Sequence, residues 1–162
     1  MPRVAVIVLV VASNACGGTL VRVVPDGANT GTTAASDPTF EVIARVAGIH
    51  DPLPVAGSDV EFSDLSTALT QAILRVVKPR HDSVLTVELI AGDARYRDTR
   101  LSASLVVRAT VRTNLGNTFL AQETVVCRDG AIVSPDSGAH VIWSCMTHIG
   151  HDLSGWLEGL HP

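Results

Sequence analysis

The chain contains no Gly-x-Ser-x-Gly elbow and no glycine-rich phosphate loop, so the usual local signatures of nucleophilic hydrolysis and nucleotide binding are missing. Basic charge is not in excess. The formal net charge is -4, which offers no global positive field, and nucleic acid is not expected as a partner. Lysine occurs once, at Lys78, against eleven arginines. With abundant Ala, Val and Gly, that bias fits a GC-rich bacterial genome more directly than any function. The apolar run Val4 to Ala12 is too short to cross a bilayer as a helix. Cysteine is confined to Cys16, Cys127 and Cys145.

The N-terminus reads as an address. Arg3 precedes the uncharged run Val4 to Ala12, which ends at Ser13-Asn14-Ala15-Cys16-Gly17-Gly18. A short positive region, an apolar stretch and small residues at a cleavage position make a secretory signal over residues 1–15. The cysteine after Ala15 resembles the lipidation site of bacterial lipoproteins. In that resemblance Ala15 matches and Ser13 stands where leucine is usual, Cys16 receives the lipid, and residues 16–38, rich in Gly, Thr, Ala and Ser, form a flexible tether. Each buried methylene of an acyl chain adds about 0.8 kcal/mol of membrane affinity. Two other readings stand beside this one. Val4 to Ala12 is rich in β-branched residues, as a buried strand would be, and a plain signal cut near Ala15 would release a soluble periplasmic protein.

At 162 residues with 46% hydrophobic content, one compact domain over residues 39–162 is expected. Phe40, Val42, Ala44 and Val46 alternate with Glu41, Ile43 and Arg45, a strand period. Pro52 and Pro54 read as breakers, and Leu20 to Val24 could form an edge strand. From Ser63 to Val77 the apolar residues Leu65, Ala68, Leu69, Ala72, Ile73 and Val76 recur at helical spacing, with Ser63 or Asp64 as cap. Ser83 to Ile90 reads as a strand. Leu101 to Thr113 alternates strictly, turns at Asn114-Leu115-Gly116-Asn117 and returns over Thr118 to Cys127 as a hairpin. After a loop at 129–138, Ile142, Met146, Ile149, Leu153, Trp156 and Leu160 mark a second helix, with Gly150 requiring a bend or close packing against the sheet. The expected fold class is α+β: a two-layer sandwich in the order β-α-β-β-β-α, a mainly antiparallel sheet with both helices on one face.

That order, together with the N-terminal cysteine, resembles the small envelope lipoproteins that serve bacterial transport and assembly machines, namely the ABC-type transport auxiliary lipoproteins and the lipopolysaccharide-assembly lipoprotein. The segments that carry the resemblance are the helix Asp64 to Val77, the hairpin Leu101 to Cys127 and the closing run Ile149-Gly150-His151-Asp152-Leu153-Ser154-Gly155-Trp156-Leu157. It implies a non-catalytic accessory component, lipid-anchored on the periplasmic side, at the outer membrane, with a protein partner in an envelope complex. The alternative is a soluble periplasmic ligand-binding domain or small hydrolase.

The candidate chemistry is sparse. Cys145, His148 and His151 follow one another at three-residue spacing, which permits a zinc or copper site, but solvent-facing histidines on a helix are the commoner outcome, and neither metal nor cofactor is expected. His50-Asp51, His81-Asp82 and His151-Asp152 invite a hydrolase reading, yet neighbours in sequence rarely form a triad. Once Cys16 is lipidated, Cys127 and Cys145 are the remaining thiols. They form either a disulfide in an oxidising compartment or two separate buried apolar residues. Arg95, Arg97, Arg100, Arg108 and Arg112 gather on the polar face and entry of the hairpin. They are either solvated decoration or a contact for an acidic partner, glycan phosphate or lipid headgroup, with Arg95, Arg97, Arg108 and Arg112 the expected partner-binding residues.

Overall fold

Strict alternation over Leu101 to Val111 builds the longest uninterrupted apolar strip in the molecule, and the rest of the sheet assembles beside it. The computed structural model describes residues 18–23, 40–78, 82–113 and 118–160. Seven strands and two helices follow in the order β1 (Thr19–Arg22), β2 (Phe40–Val46), β3 (Leu53–Ala56), β4 (Val60–Ser63), α1 (Leu65–Val76), β5 (Ser83–Arg97), β6 (Arg100–Thr113), β7 (Phe119–Ile132) and α2 (Ala139–Gly159), with a single 3-10 turn at Pro135–Ser137 before α2. The expected α+β sandwich is the observed class. The signal segment 1–15, Cys16 and the turn 114–117 lie outside the described residues.

Three long strands form an antiparallel meander, with β6 paired to β5 along one edge and to β7 along the other. The free edge of β5 takes two parallel partners in succession, β2 alongside Ser83 to Leu89 and β3 alongside Ala94 and Arg95. Beyond β3 lie antiparallel β4 and then parallel β1. The sheet is therefore mixed, and three short strands join the six expected elements. β1 lies within the 16–38 span read as tether, and is the edge strand that the apolar patch after Gly18 allowed. β3 contains Pro54, read as a breaker. This proline is exposed and pairs with Glu61 of β4, while only Val55 and Ala56 pair with β5, so its missing N–H removes nothing from the β5 ladder.

The β5–β6 connection is a two-residue turn, Asp98-Thr99, with both residues at positive φ (51° and 63°), the geometry whose twist matches a hairpin. β5 runs on to Arg97, past the expected end at Ile90, because the register shifts between Leu89 and Ala91. Before that bulge Leu85, Val87 and Leu89 face the core; after it Ala94 and Tyr96 do. The extra residue changes the phase of the alternation.

Both helices cover the inner face. α1 buries Leu65, Ala68, Leu69, Ala72 and Ile73, and α2 buries Val141, Ile142, Cys145, Met146, Ile149, Leu153 and Leu157. They meet Leu101, Leu105, Val107 and Ala109 of β6 in one core. Asp64 occupies the N-cap position of α1 at φ 63° but makes no side-chain cap bond. The Leu65 N–H donates instead to the carboxylate of Asp51 at 3.2 Å, and Asp64 accepts from Arg22 Nε at 2.5 Å. At the far end of α1, Ser154 of α2 donates to the Val76 carbonyl at 3.4 Å, meeting one of the acceptors a helix terminus leaves open.

Gly150 is needed for contact between the helices, not with the sheet. A Cβ there would sit 2.6 Å from Val76 Cγ2 and 3.2 Å from the Ala72 carbonyl oxygen. Gly150→Ala should therefore lower stability by about 1–3 kcal/mol through overpacking, despite alanine's better helix propensity. Adding Val76→Ala should recover part of that loss, as read by urea denaturation of the two single variants and the double variant.

Candidate functional site

The outer face of the sheet is left bare by both helices. In register across β2, β5 and β6, Arg45, Glu88 and Arg108 form one row, with Arg45 Nη2 2.7 Å and Arg108 Nη1 3.9 Å from the two Glu88 oxygens. Arg112 lies one row nearer the open end of the hairpin than Thr110, opposite Val84. Arg95 pairs in register with Ser102 and Arg97 with Arg100, next to the two-residue turn. Their nearest acids are on the same strand or turn: Asp93 at 2.8 Å from Arg95, and Asp98 at 3.4 Å from Arg97.

All four arginines thus share the outward face, in two groups. Ser102, the partner of Arg95, is six residues from Arg108, about 20 Å along an extended strand. The alternation of β6 places Arg108 and Arg112 on this face from sequence alone. Glu88 as their neighbour depends on the β5 register, which no local pattern encodes.

The second candidate lies where α2 meets β7. Cys127 and Cys145 form a disulfide with Cα atoms 5.5 Å apart, joining the inner face of β7 to the helix. Cys145 is therefore not a thiolate ligand, and among the described residues no group of three His, Cys, Asp or Glu side chains could hold a metal ion. An open cleft of about 290 Å³ beside the disulfide is lined by Val126, Cys127, Arg128, His148, His151 and Asp152.

The sequence reading missed Asp129, which sits on β7 at the edge of this region. Its carboxyl is held below the ordinary value chiefly by a hydrogen bond from Ser144, opposed by partial burial and aided by the Gly130 N–H, His148 and His140. Gly130 N donates to Asp129 Oδ1 at 2.7 Å. The Ser144 hydroxyl donates its hydrogen bond to the carboxylate, which ties helix to strand. A signal was available: Ser144 and His148 follow His140 at intervals of four, on one helix face.

Among the described residues the His-Asp pairs do not assemble. Asp51 caps α1, His50 is exposed, and His151 and Asp152 are both exposed on α2. His81 lies outside the described residues. Among the described residues no helix is long and apolar enough to cross a membrane.

Two measurements test this region. Replacing both Cys127 and Cys145 by alanine should lower stability by about 3 kcal/mol, the chain-entropy value for a loop of this order, and non-reduced peptide mapping should show the two cysteines linked. Because Asp129 is depressed in the folded state, its contribution is complete above the unfolded pKa and is lost as pH falls through the folded one. Ser144→Ala should move the Asp129 titration upward toward the ordinary carboxylate value in carbon-detected NMR, and should reduce the acid-side loss of stability.

No protein-family model matches the sequence, and no curated protein does. Solved structures do. The protein XCC0632 from Xanthomonas campestris, of the family described as DUF330, aligns with a TM-score of 0.56 at 13% identity over 73% of this chain and 81% of its own. A candidate lipoprotein from Caulobacter crescentus aligns at 0.47 and 11% identity, covering 74% of this chain and 91% of its own. A minor lipoprotein from Acinetobacter baumannii aligns at 0.41 and 11%, covering 74% and 91%. The first likeness shows a shared fold with little sequence in common.

Proposed function

We propose that the chain is a non-catalytic, lipid-anchored protein of the bacterial envelope, an accessory component of a transport or assembly complex. The observation that carries the reading is the apolar run Val4 to Ala12 followed, after Ser13-Asn14-Ala15, by Cys16, on a body whose broad sheet face is, among the described residues, bare of helices. Cys16 supplies the anchor on the periplasmic side of the outer membrane, and several acyl chains on one residue hold a protein stably where a single chain would not. The fold likeness to XCC0632 is compatible with this role.

The partner is a protein with an acidic surface, met by the outward arginines. Arg112 and Arg108 form the more favourable group, on the long strand β6, although Arg108 shares Glu88 with Arg45. Arg95 and Arg97 form a second contact near the turn. Guanidinium groups on a rigid strand present fixed donor pairs to carboxylates.

Cys16→Ser should move the protein from the membrane fraction to the soluble periplasm and abolish labelled palmitate incorporation while leaving its thermal melt unchanged. Label persisting in the Cys16→Ser protein would count against the site. For the face, Arg108→Gln with Arg112→Gln should remove a partner that co-purifies in mild detergent, whereas Lys78→Gln on the far side should not. Glutamine avoids placing a second acid opposite Glu88. Undiminished recovery with the folded double variant would return these arginines to solvated decoration.

A further inference from the structure

β7 is the last strand in the sheet order, and among the described residues no strand pairs with its outer edge. The direction of its backbone groups follows from the ladder. Val133 N donates to the Thr99 carbonyl at 3.2 Å, in the same register as Leu101 opposite Ala131, so from Ala121 to Val133, before the register shifts, the odd-numbered residues bond to β6 and the even-numbered ones point their N–H and C=O outward. Two of those outward donors confirm the direction: Thr124 N donates to Glu123 Oε1 at 3.1 Å, and Gly130 N to Asp129 Oδ1 at 2.7 Å.

The exposed apolar residues gather on the same strand. Among the described residues seven large hydrophobics are exposed, and four of them are Phe119, Leu120, Val126 and Ile132 of β7. Leu120, Val126 and Ile132 are spaced by six and exposed, with Leu120 the extra residue at the register shift opposite Val111 and Arg112, and the spacing is symmetric about Val126. A strand with that symmetry complements itself. Pairing two copies antiparallel about Val126 sets Val126 opposite Val126, and Leu120 of each copy opposite Ile132 of the other. Moving the axis to Val125 instead sets Val126 opposite Thr124 and Leu120 opposite Gly130, and the match is lost.

We propose that the outer edge of β7 pairs with the same edge of a second copy of this chain, antiparallel about a two-fold axis through Val126, so that the sheet continues across the dimer. The contact is isologous and uses up both β7 edges, so it closes at two copies. On the inner face the same register places Glu123 of one copy opposite Asp129 of the other. These like charges oppose association and also occupy the Thr124 and Gly130 donors, which restrains strand addition. The His148 side chain stands near enough to Asp129 to act on it electrostatically.

The test is thiol cross-linking of the full-length protein in isolated membranes. Directly opposed, hydrogen-bonded residues have Cα atoms about 5.5 Å apart, within the disulfide range of about 4.4–6.8 Å. Val126→Cys should give a linked dimer under mild oxidation. Thr124→Cys should not, because its opposite is Arg128 and the two introduced thiols lie about 13 Å apart along the strands. Val126 adjoins Cys127, so a second pair guards against exchange with the native disulfide: Leu120→Cys and Ile132→Cys chains should link when mixed, and neither should link alone. Adding Glu123→Gln to the Val126→Cys chain should raise the linked fraction about two-fold or more by removing the like-charge pairs. The proposal is overturned by an unlinked Val126→Cys chain, by equal linking at Thr124→Cys, by an unlinked Leu120/Ile132 mixture, or by no response to Glu123→Gln.

Discussion

The structure depends on the pairing of β5. Its fifteen residues meet β6 along one edge for their whole length, and on the other edge hold β2 and then β3, through which β4 and β1 are attached. Every other element of the sheet is reached through this strand or through β6. The bulge between Leu89 and Ala91 lets one strand serve both halves: Leu85, Val87 and Leu89 face α1 and α2 in the first half, and Ala94 and Tyr96 face inward in the second. Without the extra residue the second half would present Asp93 and Arg95 to the core, and burying unpaired charge costs far more than a bulge.

The consequence is a body with two unlike sides. On the inner side the helices are locked to each other through Gly150 against Val76 and Ala72, and to the sheet through the Cys127–Cys145 disulfide and the Ser144–Asp129 hydrogen bond. Arg75 lies 4.9 Å from the centroid of the Trp143 ring, a further contact between the helices. On the outer side no described helix covers the strands, and charge there is arranged in cross-strand rows. That division favours contact over chemistry: Asp129, whose carboxyl is held below its ordinary value, ties β7 to α2, and the outward arginines are spread over some 20 Å of sheet.

Much of this architecture was legible in the sequence, and the failures have physical causes. β6 was legible because Leu101 to Val111 alternates without a break, and the helices because their apolar residues recur at three and four. The second half of β5 was not, since the bulge shifts the phase and Gly92, Asp93 and Arg95 then read as loop. β3 was hidden by Pro52 and Pro54, whose cost to a strand depends on which edge is paired. Asp64, one of the two expected caps, does hold the N-cap position of α1, but the side-chain acceptor was not legible because Asp51 arrives from fourteen residues away. The alternation of β6 was enough to put Arg108 and Arg112 on its outer face, but Arg95 and Arg97 belong to β5, and the division into two groups and the counter-ion Glu88 follow only from register. The Asp129–Ser144 contact joins two elements and left only a helical spacing as its trace.

The central claim is that this two-sided body works at a membrane through Cys16. The most direct measurement is mass spectrometry of the N-terminal peptide of the protein extracted from membranes. The account predicts that residues 1–15 are absent and that the peptide begins at Cys16 carrying acyl mass. A mature chain that begins at an unmodified Cys16, or one that retains Met1, would contradict it.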